Sequence, residues 1–154
     1  MAADTDAAIP AERELTMTRV LDTPRNLVFK VWTEPSHVVR WFGPKGFTAP
    51  SCEMDLRPGG AWRACIRSPE GTDRRMQGVY REVAPPERLV FTFAWEDQGA
   101  PGHETLVTVT FAEQDGKTLL TFHQAVFESV ESRDSHHGGW SEAFDRLEDY
   151  LAQL

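Results

Sequence analysis

The segment ETLVTVTFAEQDGKTLLTFHQAV, residues 104–126, alternates apolar and polar side chains on both sides of a Gln114-Asp115-Gly116 turn. In its first half, Val107, Val109 and Phe111 occupy every second position and share one face. Such alternation is typical of a β-strand with one buried face, and a short turn that contains Asp-Gly is typical of a hairpin. The segment therefore predicts two antiparallel strands with a common apolar face.

The same alternation recurs in other segments of the chain. It predicts strands at 51–57, 61–68, 74–84, 88–96, 104–113 and 117–126, and one more from Glu14 to Val20. Clusters of Gly, Pro and Asp separate these segments at regular spacing, as they do in antiparallel hairpins. We therefore expect a single antiparallel sheet of seven strands.

Two short helices are predicted between the first strand and the second. Thr23 is a candidate N-cap with Pro24 at the first helical position, and Pro35 ends this helix. Ser36 is a candidate cap for the second helix, which ends at the turn 43–46.

A long helix is predicted at the C-terminus, over residues 130–153, with Ser129 as its cap. Its apolar residues recur at helical spacing and form one stripe: Trp140, Phe144, Leu147 and Leu151. At 1.5 Å per residue the helix spans roughly 36 Å, so it must lie across the whole sheet. The predicted fold is α+β: a curved seven-stranded antiparallel sheet around a long C-terminal helix, with two short helices after the first strand. We expect a cavity where the sheet and the helix do not close completely.

The composition is that of one globular domain. The 154 residues are 40% hydrophobic and 26% charged, with a formal net charge of −8 at pH 7. Residues 1–12 lack periodicity and are expected to form a flexible tail before a single domain over 13–154. The acidic balance disfavours nucleic acid and anionic membranes as partners, and no segment has the features of a membrane-spanning helix or a secretory signal. We expect a cytoplasmic protein.

Four motifs in a fixed order resemble those of one known family. They are Val31-Trp32-Thr33-Glu34-Pro35 with Trp41-Phe42-Gly43-Pro44, then Asp55-Leu56-Arg57-Pro58-Gly59-Gly60-Ala61-Trp62, then Pro85-Pro86-Glu87-Arg88-Leu89, and finally Gly139-Trp140. Over 13–154 the chain is similar to the C-terminal domain of the activator of heat shock protein 90 ATPase, in the START/Bet v 1-like (SRPBCC) superfamily. This resemblance implies a helix-grip fold with a deep hydrophobic pocket. Many bacterial single-domain members look like small-molecule binders.

Aromatic residues are the candidate ligand-binding residues, because pockets for small molecules are mostly apolar and aromatic. With two polar residues that could orient a ligand's carbonyl or hydroxyl group, the set is Trp32, Trp41, Trp62, Tyr80, Phe91, Phe93, Trp95, Phe111, Phe122, Gln124, Trp140 and Phe144. The alternative is that the aromatic rings only fill the core, and that backbone groups or water satisfy Tyr80 and Gln124. The pair Gly138-Gly139 favours close approach of another group to the helix, unless the helix begins after Gly139.

The sequence offers no catalytic residue set and no metal or cofactor site that we would assign. His136 and His137 are adjacent and diverge on a helix, so they cannot share a metal ion as an i, i+4 pair does. A Glu82–His123 acid–base pair is the one catalytic alternative. No glycine-rich phosphate loop follows a strand, which argues against a nucleotide cofactor.

Binding of a small hydrophobic molecule, without catalysis, is therefore the favoured function. The alternatives are an enzyme of the polyketide-cyclase type and an interaction module that acts on a chaperone or a regulator. A further basic surface is predicted on the outer side of neighbouring strands, from Arg63, Arg67, Arg75 and Arg81. It is either a solvated surface or the interface of a homodimer or another partner.

The hairpin at Pro58-Gly59-Gly60 bears on the state of the two cysteines. With a three-residue loop and Gly60 at positive φ, Cys52 pairs with Ile66, and all apolar residues share one face. Cys52 then points inward and Cys65 outward, so no disulfide forms. We predict that Ellman's reagent titrates two thiols per chain in unfolded, unreduced protein. A lower count would contradict this register.

Overall fold

A computed structural model describes residues 10–154, so residues 1–9 of the predicted tail lie outside the described residues. The strands are β1 Glu14–Leu21, β2 Thr48–Met54, β3 Ala61–Arg67, β4 Asp73–Ala84, β5 Arg88–Asp97, β6 Ala100–Pro101, β7 Thr105–Gln114 and β8 Lys117–Ala125. The helices are α1 Arg25–Thr33, α2 Pro35–Trp41 and α3 Val130–Leu151, and one turn of 3-10 helix, Ala11–Arg13, precedes β1.

The strands form one open antiparallel sheet in the order β1-β8-β7-β5-β4-β3-β2. The two-residue β6 pairs with the end of β5. This confirms the predicted α+β fold with one strand more than expected, because β6 is too short for alternation to reveal it. None of the helices within residues 10–154 combines the length and the apolar character that a membrane crossing requires.

Helix α3 packs on the inner face of the sheet through the predicted stripe, whose four residues are all buried. The ring of Trp140 lies with its centroid 4.5 Å from that of Phe122 on β8. Ser129 caps the helix as predicted, and its Oγ accepts a hydrogen bond from the Ser132 backbone N–H at 3.0 Å. The helix runs unbroken through Gly138 and Gly139, so a start after Gly139 is wrong.

The predicted caps of the two short helices are wrong by one or two residues. Pro24, in extended conformation, takes the N-cap position of α1, and Glu34 takes that of α2 with Pro35 at the first helical position. Thr23 instead lies in the turn after β1. Its backbone N–H donates to the Leu21 carbonyl, and its own carbonyl accepts from the Thr118 hydroxyl at 2.7 Å. A proline cannot donate a backbone hydrogen bond, which suits it to these unsatisfied helix starts.

The register of the β2–β3 hairpin differs from the prediction by two residues. Cys52 pairs with Ala64, not with Ile66, and the loop widens because Gly59 and Gly60 exchange backbone hydrogen bonds with Tyr80 on β4, at 2.8 and 2.9 Å. Gly59, not Gly60, has the positive φ, of 87°. A shift by two keeps every side chain on its predicted face, because side chains in a strand alternate with period two.

The two cysteines are free, as predicted. Cys52 lies on the inner face and is half-buried, and burial raises the pKa of its thiol to about 11. Cys65 shares the outer face with Arg63 but is only 2% exposed, since it lies between Ser51 and Arg75 of the neighbouring strands. The raised pKa keeps the Cys52 thiol protonated at neutral pH, and burial keeps Cys65 away from solvent, so neither thiol is poised to react.

Gly78 on β4 makes room for the indole of Trp62. Trp62 lies opposite Gly78 in the ladder, and its Nε1 donates to the Thr92 carbonyl on β5 at 3.0 Å. A Cβ atom at position 78 would overlap both the Thr92 carbonyl and the Trp62 indole nitrogen.

We predict that Gly78→Ala lowers the free energy of unfolding by about 1–3 kcal/mol, because a well-packed strand cannot move aside for the added methyl group. Gly138→Ala is the matched control: its Cβ meets open space, and it should raise helix stability by up to about 1 kcal/mol. Urea unfolding measures both changes. A Gly78→Ala protein as stable as the parent would show that this crossing is not tightly packed.

Candidate functional site

A cavity of about 420 Å³ lies between α3, the sheet and the loop that joins α2 to β2. The sheet contributes Ile66, Arg74, Met76, Phe93 and Trp95, and the loop contributes Phe42, Gly43, Pro44 and Phe47. Helix α3 and the residue before its cap contribute Glu128, Ser132, Ser135, His136, Gly139, Trp140 and Ala143. The walls are mostly apolar, and Arg74 and Glu128 bring the only formal charges among these lining residues.

One side chain of α3 fixes the loop wall of this cavity. The Arg146 guanidinium donates from Nη1 to the carbonyl oxygens of Phe42, Gly43 and Pro44, at 3.2, 3.0 and 3.3 Å. The backbone N–H of Lys45 donates to Glu142 Oε1 at 2.9 Å. Burial lowers the pKa of Arg146, but an arginine remains charged at neutral pH. The loop is therefore attached to the helix at several points, and the cavity is preformed.

The cavity exists because α3 presents small residues to it. Ser132, Ser135, Gly139 and Ala143 recur at helical spacing along the side that faces the cavity. A Cβ atom built on Gly139 would have Pro44 as its nearest neighbour, at 3.8 Å, which is ordinary contact. Packing within the protein therefore does not require glycine here, and the space beside it is left open.

The predicted aromatic residues divide among two spaces and the core. Phe93, Trp95 and Trp140 line the 420 Å³ cavity. A second space of about 30 Å³, the size of one water molecule, is lined by Trp32, Trp41, Trp62, Tyr80 and Phe91, together with Phe93 and Trp140. Phe111, Phe122, Gln124 and Phe144 line neither space and are packed in the core.

Gln124 orients a wall residue of the cavity. Its side chain is fully buried, its Oε1 accepts from Trp140 Nε1 at 2.9 Å, and its Nε2 donates to Thr105 Oγ1 at 2.8 Å. The Thr105 hydroxyl in turn donates to the Phe93 carbonyl at 3.1 Å. The amide is thus engaged by protein groups at both ends, and it holds the indole of Trp140 in place.

Two of the residues that line the small space, Tyr80 and Trp32, carry polar groups. Burial raises the pKa of Tyr80, so its phenol stays protonated and can donate a hydrogen bond. Within residues 10–154, Trp32 Nε1 is the one buried side-chain polar atom without a hydrogen-bond partner. A buried donor left unpaired costs about 1–3 kcal/mol, so an acceptor atom brought to this indole would be stabilised.

His136 is a site residue that the sequence analysis missed. Trp95 Nε1 donates to its Nε2 at 2.9 Å, and its Nδ1 donates to the Ser132 carbonyl at 2.8 Å, which fixes one neutral tautomer. Burial is the main cause of its lowered pKa, and the nearby Arg74 lowers that pKa further. The sequence carried a signal, because His136 precedes Trp140 by one helical turn and extends the inward stripe.

The alternative acid–base pair, Glu82 and His123, does not come together in the structure. Glu82 accepts a hydrogen bond from Arg88 Nε at 3.0 Å, while His123 lies 2.7 Å from Glu14 Oε1. The two side chains belong to β4 and β8, which are not neighbours in the sheet. Within residues 10–154, no group of three or more His, Cys, Asp or Glu side chains is arranged to hold a metal ion.

The outer arginines lie on the outer face of the sheet, and most of them pair with carboxylates of the same chain. Arg63 binds Glu96 at 2.6 Å, Arg67 binds Asp73 at 2.6 Å, and Arg75 lies 3.8 Å from the same Asp73. The hydrogen bond from Arg63 lowers the pKa of Glu96, so this carboxylate stays ionised. Most of the positive charge of the surface is therefore neutralised within the chain.

Comparisons with known proteins agree with the fold. The family model described as Activator of Hsp90 ATPase homolog 1-like protein matches residues 22–152. A solved protein of Nitrosomonas europaea is 30% identical, with a TM-score of 0.81 over 94% of this chain and 97% of that one. A protein of Chromobacterium violaceum is 26% identical, with a TM-score of 0.82 over 90% and 96%. The AHSA1 protein of Silicibacter pomeroyi, 24% identical with a TM-score of 0.82 over 91% and 98%, shares the fold. No curated protein sequence matches the chain.

Acidification is expected to destabilise the fold through His136. The pKa of His136 in the folded chain lies below that of the unfolded chain. The neutral imidazole therefore contributes stability above pH about 6.5. That stability is lost as the pH falls from about 6.5 towards the pKa of the folded chain. The fall in melting temperature between about pH 7.5 and about pH 5.5 should be smaller in His136→Gln than in the parent. His137→Gln, at the exposed neighbouring position, should keep the full fall. Equal falls in all three proteins would contradict the assignment.

Proposed function

Because the chain belongs to the activator of Hsp90 ATPase homolog 1-like family, whose motifs and fold it shares, we propose that it binds a small, mainly apolar molecule in the 420 Å³ cavity. The observation that carries this proposal is the small-residue side of α3. A helix that packed fully against the sheet would present large apolar residues along its whole length. Here it presents Ser135, Gly139 and Ala143 opposite Phe93 and Trp95, and leaves a preformed space.

The size and chemistry of the cavity support this proposal. Small-molecule pockets usually measure about 300–1,000 Å³ and combine apolar walls with a few polar groups. The indole of Trp140, held by Gln124, and the edge of Phe93 would contact the apolar part of a ligand. The helix hydroxyls of Ser132 and Ser135 supply hydrogen-bonding groups at the side.

Binding without catalysis has more support than catalysis at this site. His136 is the one histidine among the lining residues, and both of its ring nitrogens are already engaged, by Trp95 and by Ser132. A general base needs a free lone pair within reach of the substrate proton. The paired arginines of the outer face likewise give little support to a partner surface or a homodimer.

Two neighbouring glycines provide a matched test of the cavity. Gly139→Leu places a side chain into the cavity, whereas Gly138→Leu places the same side chain at an exposed position with open space around it. Both substitutions replace a helical glycine with a strong helix former, so neither should lower stability. The probe is the neutral fluorophore N-phenyl-1-naphthylamine.

We predict that Gly139→Leu weakens binding of the neutral fluorophore by at least about tenfold, which corresponds to about 1.4 kcal/mol, while Gly138→Leu leaves it unchanged. Thermal melts of both variants establish that they are folded. Native mass spectrometry of freshly purified parent protein tests for a co-purified apolar molecule. Equal binding by the two variants would overturn the proposed site.

A further inference from the structure

Arg74 is an exposed arginine that nevertheless lies on the inner, mostly apolar side of the sheet. On β4 the side chains of Met76 and Tyr80 point inward, so alternation places Arg74 inward and Arg75 outward. Arg74 lies opposite Ile66 of β3, at the end of the apolar inner face. Its charged group is thus brought to the border of the cavity by the strand that also supplies an apolar wall.

An aromatic ring holds this guanidinium in place. The Arg74 Cζ lies 4.4 Å from the centroid of the Trp95 ring, and the Trp95 indole is itself held by its hydrogen bond to His136. An arginine stacked on a ring keeps its N–H groups free at the edge of the guanidinium plane. These donors match the geometry of an oxyanion, which can accept two parallel hydrogen bonds.

The described part of the chain supplies no counter-ion for Arg74. Within residues 10–154, no side chain pairs or hydrogen-bonds with its guanidinium, although Arg63 and Arg67 each bind a carboxylate at 2.6 Å. Glu128 is the one carboxylate among the lining residues of the cavity, and it forms no ion pair with Arg74. The positive charge at the cavity is therefore available to an external anion.

Arg74 also separates two environments. It lines the apolar cavity on one side and a polar groove of about 420 Å³ on the other, which is bordered by Arg63, Asp73, Arg75, Glu96 and Gln98. A molecule bound in the cavity therefore has an apolar surrounding for its body and a cation where it meets water.

We propose that the ligand is an amphipathic acid, whose apolar part fills the cavity and whose oxyanion pairs with Arg74. This inference rests on the proposed binding function and adds the chemical class of the ligand. Carboxylates, sulfonates and phosphate monoesters share the chemistry that Arg74 recognises.

Two probes with the same aromatic framework test the charge separately from the cavity. They are 8-anilinonaphthalene-1-sulfonate, which carries the oxyanion, and N-phenyl-1-naphthylamine, which lacks it. In Arg74→Gln the affinity ratio of the anionic to the neutral probe should fall about tenfold relative to the parent, as expected for loss of one charge-assisted pair. Arg75→Gln removes the same charge from the adjacent, outward position and should keep the parental ratio. An unchanged ratio in Arg74→Gln, or an equal fall in both variants, would overturn the proposal.

Competition distinguishes the natural sources of the oxyanion. Decanoate and decyl phosphate should each displace the sulfonate probe from the parent, and decanol should be at least about tenfold weaker than the better of the two. The stronger competitor shows whether a carboxylate or a phosphate is the preferred head group. If decanol displaces the probe as strongly as both acids, the proposal is wrong. Gly139→Leu distinguishes failure of the binding site from failure of the acid hypothesis. If Gly139→Leu weakens binding of neither probe, the proposed binding site is wrong. If it weakens binding of both probes but Arg74→Gln leaves their affinity ratio unchanged, the site stands and only the proposed acidic class of ligand is wrong.

Discussion

The fully buried amide of Gln124 ties the middle of the long helix to the sheet. Gln124 of β8 accepts from the indole of Trp140 on α3 and donates to Thr105 of β7, whose hydroxyl reaches the Phe93 carbonyl on β5. Each of these polar groups is buried, and each has its partner, so the network fixes one rotation of the helix over the sheet. Trp140 then divides the interface. On one side Phe122 and Phe144 pack against Trp32, and on the other the helix presents small residues to the cavity.

Alternation and helical spacing were sufficient to predict the fold class and the inward faces of its main elements. The period of two in residues 104–126 fixed which side chains of β7 and β8 face inward, and the stripe from Trp140 to Leu151 fixed the face of α3. The β2–β3 register could not be predicted in the same way. It depends on backbone hydrogen bonds between Gly59, Gly60 and Tyr80, and backbone groups leave no pattern in the side chains.

The candidate site was predictable only in part, for a different physical reason. Periodicity shows that Phe93 and Phe122 both point inward, but it does not show which inward space is filled. That depends on the residues opposite. Phe122 lies against Trp140, whereas the cavity that Phe93 lines also has Gly139 and Ala143 in its wall. The informative signals were the small residues at helical spacing in α3 and the even-numbered position of Arg74 among inward residues of β4.

His136 connects helix α3 to the indole ring that holds Arg74. Its neutral tautomer accepts from Trp95, and Trp95 carries the guanidinium of Arg74 on its ring face. Protonation of His136 at Nε2 would remove the acceptor for the Trp95 N–H and place a second positive charge near Arg74. Burial and the charge of Arg74 both disfavour this protonation. An anion paired with Arg74 would cancel part of that repulsion, since an opposite charge nearby favours the protonated imidazole. Because coupling between two binding events is reciprocal, a proton on His136 would then also favour the anion.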